Sequence, residues 1–114
     1  MKTSFTILLL GLLFYGCATK PTIDLIQPGK DVRLKGYGRS YIIHVTTREG
    51  SSIQGIRLVQ IMADGEEITH TADTGTVSEG SDQNSVTITL VNAKFQGKDM
   101  HGTYHILGPL ILTR

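Results

Sequence analysis

A chain of 114 residues has room for one domain. Its 11 basic and 10 acidic side chains nearly cancel, so charge gives no argument for a nucleic-acid partner. Glycine occurs 13 times and cysteine once, with no internal repeat or low-complexity tract, so no disulfide can staple the domain.

The N-terminus reads first as a targeting segment. Lys2 gives a positive start, Phe5 to Tyr15 is an apolar run broken only by Thr6 and Gly11, and small residues Gly16, Cys17 and Ala18 follow. That order of charged, apolar and small residues is the pattern of a secretory signal peptide over residues 1–16. A membrane-spanning helix needs roughly 20 apolar residues, about twice this run. "LLFYGC" resembles the lipobox of bacterial lipoproteins. The resemblance implies cleavage after Gly16 and acylation of Cys17, which becomes the mature N-terminus. Because stable attachment takes more than one acyl chain, a multiply acylated cysteine is a sufficient anchor without a spanning helix. Ala18 is not the aspartate that retains some lipoproteins at the inner membrane, so the resemblance favours the outer membrane of a bacterial envelope, facing the periplasm.

Residues 17–30 read as the lipidated N-terminus and a tether, with two prolines, a Pro-Gly turn signal and only Ile23, Leu25 and Ile26 to bury. The alternation of Ile23 and Leu25 also fits a short first strand. From residue 31 to 114 the pattern is that of strands, with no helical stripe. "VRLK" sets Val32 and Leu34 on one face. "SYIIHVTT" sets Tyr41, Ile43 and Val45 on one face, and "SVTITLVN" does the same with Val86, Ile88 and Leu90. "SIQGIRLVQIM", "EEITHTA", "GTVSEG", "AKFQG" and "TYHILGPLIL" complete the set, with turns expected at "REGS", "ADGEE", "DTGT", "EGSDQN", "NA" and "GKDMHG". The expected fold class is all-β: an open β-jelly-roll or β-sandwich of mainly antiparallel strands.

Chemistry-bearing patterns are sparse. His101 and His105 have i, i+4 spacing, but on a strand four residues span about 13 Å, too far to share one ion, and His44 and His70 join no cluster. Glu66 and Glu67 are adjacent in a turn, and "EGSDQNS" is a polar loop without a nucleophile elbow. No metal, cofactor or enzymatic activity is expected. "KDVRLKGYGR" carries Arg33, Lys35 and Arg39 close together, which reads either as contact with an anionic group such as lipid phosphate or as charged protection of an edge strand.

The ordered phrase "YIIHV", "REGSSIQGIRLVQI", an acidic-glycine turn, "THTADTGTV" and "SVTITLVNAKF", within residues 36–95, resembles the periplasmic β-jelly-roll domain of the LptF/LptG lipopolysaccharide-export permeases. The resemblance implies a jelly-roll that adds edge to edge to related domains and offers a groove to acyl chains. Tyr41, Ile43, Val45, Ile56, Leu58, Val86, Ile88 and Leu90 are then groove candidates, whereas alternation alone makes them core. Those permeases carry transmembrane helices on both sides of the domain. Here a lipid anchor stands in their place, so the expected role is a membrane-tethered accessory or bridging module in lipopolysaccharide or glycolipid transport. Its expected partners are the membrane, lipopolysaccharide and a related β-jelly-roll export protein. The alternative is a small structural or protein-binding envelope lipoprotein with a closed β-sandwich and no lipid ligand.

Overall fold

The structure, a computed structural model, describes residues 20–114. The expected signal peptide and lipidation position, Cys17, lie outside the described residues. Six strands follow one another: β1 (Asp31–Gly36), β2 (Arg39–Glu49), β3 (Ser52–Ile61), β4 (Glu67–Glu79), β5 (Ser85–Gln96) and β6 (His101–Thr113). Every strand pairs antiparallel with its neighbour in sequence, giving the order β1-β2-β3-β4-β5-β6. The fold is all-β, as the alternation requires. The sheet curls until β1 meets β6, but that closure is a single residue pair, Lys35 with Thr113.

Alternation builds the interior. Leu34, Tyr41, Ile43, Val45, Leu58, Val86, Ile88 and Leu90 all point inward and are buried, joined by Ile53 and Ile56 on β3, Val77 on β4 and Leu112 on β6. Each fully buried aliphatic side chain of this size contributes about 1.5–3 kcal/mol of transfer free energy, and these dozen supply most of what a domain without disulfides can draw on.

Two expected turns are not turns. "DTGT" lies inside β4 and "NA" inside β5, so four expected short strands are two long ones. The turn-forming residues there shift the inward phase by one instead. On β4 the buried positions run His70, Ala72 and then Gly75, while on β5 they run Ile88, Leu90 and then Ala93, where Asn92 has φ 52°. On β3 the same step falls at Gly55, between buried Ile53 and Ile56, with φ 61°. These shifts lie side by side across the sheet, since Ile56 pairs with Ala72 and Thr74 with Val91. A row of bulges bends a sheet sharply, which lets six strands curl into a small barrel.

The segment expected to be a tether folds onto the barrel. Thr22–Leu25 forms one 3₁₀ turn, not a strand, and Thr22 and Ile26 are fully buried. Arg48 on β2 donates through Nη1 to the carbonyls of Ile23 at 2.6 Å and Ile26 at 2.8 Å. The Thr22 N–H donates to Gln83 O at 2.7 Å, and the Gly29 N–H to Val45 O at 2.9 Å. Residues 22–30 therefore plug the end of the barrel formed by the β2–β3 and β4–β5 turns. From Lys20, whose carbonyl accepts from Arg114 Nη2, the described residues are already held to the barrel.

Candidate functional site

The seam between β1 and β6 is where this fold leaves its bonding incomplete. β1 is short, with six residues alternating charged and apolar, whereas β6 runs for 13. Only Lys35 on β1 and Thr113 on β6 pair across the seam. The approach at that point is close: a Cβ on Gly36 would meet Leu112 Cδ2 at 2.7 Å and Ile111 O at 3.0 Å, so a side chain there would require the end of Leu112 to shift. Beyond it one side chain caps the edge, as the Ile111 N–H donates to the Tyr37 hydroxyl at 2.9 Å. Tyr37 and Gly38, with φ 55° and 71°, form the two-residue β1–β2 turn, the pair of positive φ values that a tight hairpin turn requires.

Along the rest of β6, from His101 to Leu110, the edge away from β5 has no strand partner among the described residues. This free edge carries no Asp, Glu, Lys or Arg. From Ile106 onward the strand is apolar on both faces: Leu107 and Leu110 lean on the core, while Ile106, and beyond the free stretch Ile111, face outward at 55% exposure each. The phase breaks between them at Gly108, where φ is 115° and a Cβ would meet Ile88 O at 2.7 Å. Natural edges are usually blunted by charge, as β1 is with Asp31, Arg33 and Lys35. β6 is not.

The inner face near the start of β6 holds two buried polar side chains, Gln60 and His70. Tyr41 on β2 pairs with Gln60 on β3, whose Oε1 lies 3.1 Å from His70 Nε2 on β4. The Phe95 and Tyr104 rings lie against His70, with centroids 6.4 and 6.5 Å away, and against each other at 4.8 Å. His70 Nδ1 is buried without a partner, and burial holds the imidazole pKa below its ordinary 6.5. Burial also raises the Tyr41 phenol, against the opposing pull of the nearby Arg39 guanidinium.

The eight groove candidates share one location. Tyr41, Ile43, Val45, Ile56, Leu58, Val86, Ile88 and Leu90 are each at most 3% exposed and pack as core. They are brought together, but as a filled interior rather than the wall of an open channel. The three basic candidates divide. Lys35 and Arg39 border one depression beside the β1–β2 turn. Arg33 borders another with Lys20, Lys30 and Arg114, where Asp24 and Asp31 also stand. His44 Nδ1 bonds Asp31 Oδ1 at 2.8 Å, separate from the other histidines. The sequence reading missed β6 as an edge. A signal was present: the adjacent apolar pairs Ile106-Leu107 and Leu110-Ile111 give the strand two apolar faces, which a half-buried strand does not need.

Comparison with protein-family models, with curated proteins and with solved structures finds no match.

Proposed function

We propose that this chain is a membrane-tethered bridging module of the bacterial cell envelope, acting in lipopolysaccharide or glycolipid transport and docking onto a related β-domain by strand addition at β6. The observation that carries the reading is the long edge of β6, free along most of its length, without Asp, Glu, Lys or Arg, and apolar on both faces from Ile106 onward. An added strand gains main-chain hydrogen bonds from such an edge, and the alternating side chains select the partner. The LptF/LptG resemblance supplies the export context, and the lipobox-like "LLFYGC" supplies the anchor at Cys17. Contact with acyl chains belongs, on this reading, at the seam, where Leu107 and Leu110 are only partly covered.

A second reading, a structural or protein-binding lipoprotein without a lipid ligand, is favoured by the filled core. Photo-crosslinkers at Leu107 and, as an interior comparison, at Ile43 separate the two in cells. Lipopolysaccharide captured from Leu107 supports the transport role. A folded, anchored protein that captures lipid from neither position leaves the second reading. The anchor has its own test: mass spectrometry of the mature N-terminus should find an acylated Cys17 in the wild type and none in Cys17→Ala.

A further inference from the structure

The turn before β6 fixes which way its backbone points. The Gly97 N–H donates to Met100 O at 2.7 Å, so these two residues form a bonded pair. Bonded and unbonded pairs alternate along an antiparallel ladder. With Gln96 opposite His101 and Ala93 opposite Tyr104, Gly102 and Tyr104 bond to β5, while His101 and Thr103 turn their N–H and C=O groups away from it. His105, which has no register partner on β5, continues the outward set. The regular edge ends after Leu107, because Gly108 has φ 115° and Pro109 has no N–H. Every large apolar side chain exposed among the described residues belongs to this strand or adjoins it: Tyr104, Ile106 and Ile111 on β6, Met100 just before it, and Tyr37, whose hydroxyl accepts from the Ile111 N–H.

We propose that the free edge of β6 takes a neutral peptide strand, as long as His101–Leu107, through the main-chain groups of His101, Thr103 and His105. This partner presupposes strand addition at β6 and specifies the strand. Free N–H and C=O groups select a partner with a backbone of its own, since hydrocarbon would leave them unpaired. The strand is neutral because β6 has no Asp, Glu, Lys or Arg to meet a charge. A charge turned toward Tyr104, Ile106 or Leu107 would lose water and gain no partner. Both faces are apolar from Ile106 onward, so slipping the register by one residue does not rescue a charged strand. A second copy fits less well: a two-fold antiparallel pair points the two plugged ends in opposite directions, away from a shared anchoring surface.

The test appends the strand Thr-Val-Thr-Val-Thr-Val-Thr after Arg114 of the full chain, through a flexible Gly-Ser linker of about 15 residues that keeps it near the edge at roughly millimolar effective concentration. Amide exchange is followed by NMR in dodecyl maltoside. The neutral strand should slow exchange at Thr103 and His105 about tenfold or more, and leave Gly102 and Tyr104, already bonded to β5, nearly unchanged. Replacing every valine of the appended strand by lysine should abolish the slowing. Equal slowing by the neutral and lysine strands would overturn the neutral partner while leaving strand addition standing. Slowing by neither would overturn strand addition at β6 as well. Slowing at Gly102 and Tyr104 in place of Thr103 and His105 would overturn the main-chain groups named here. Slowing that grows with protein concentration in the chain without an appended strand would assign the edge to a second copy instead.

Discussion

His70 shows how one side chain links the core to solution conditions. Its Nε2–H is satisfied by Gln60 Oε1, while Nδ1 faces a buried site without an acceptor, so a second proton on the ring finds no partner. The folded pKa therefore lies below 6.5. A depressed histidine pKa means that the unfolded chain takes up a proton first. The contribution to stability is whole above about pH 6.5 and declines as pH falls through that value toward the folded pKa. Urea midpoints measured at pH 7.5 and pH 5 should fall for the parent and fall less for His70→Leu, which keeps an apolar body and cannot titrate. An equal fall in both would place the acid sensitivity elsewhere. This role was not legible in "EEITHTA", which marks only a strand around His70, because the missing acceptor depends on Gln60, Phe95 and Tyr104 converging from three other strands.

At the scale of elements, the inward faces were legible wherever alternation ran unbroken. Tyr41 to Val45 and Val86 to Leu90 face inward as the period of two requires. Legibility stopped at Gly55, Asp73 and Asn92, because a residue that favours a turn also favours a bulge, and local sequence does not say which. The row of bulges and the N-terminal plug are both non-local devices. Arg48 links the plug to β2 by two short bonds to backbone carbonyls, and replacing it strands those carbonyls in a partly buried site. Arg48→Met should cost about 1.5–3 kcal/mol in urea unfolding, the scale of hydrogen bonds to a charged group, and should speed amide exchange at Thr22 and Gly29. Unchanged exchange at both amides would show that the plug is held by Ile26 burial alone. Gly55 makes the complementary point. Its φ of 61° and the 2.7 Å approach of a would-be Cβ to Thr46 Cβ make the bulge a glycine position for backbone and packing reasons together.

The whole molecule combines a closed interior, one edge lined by charge and one edge without Asp, Glu, Lys or Arg along most of its length. Cys17 precedes Lys20 by three residues, a reach of at most about 11 Å, and Lys20 is held to the last residue of the chain. The proposed anchor at Cys17 would therefore keep the plugged end of the barrel against the membrane. The β5–β6 turn, where the free edge begins, lies at the opposite end. The fold class and the inward faces could be read from the chain, but the edge could not, since it depends on which strands fail to meet. Docking at that edge is the central claim. A photo-crosslinker at Ile106 in the anchored protein, irradiated in cells, tests it most directly. The account predicts a discrete adduct with an envelope protein bearing a β-domain, lost when Leu107→Pro removes the edge N–H. No protein adduct from Ile106, in a chain that is folded and anchored, would contradict it.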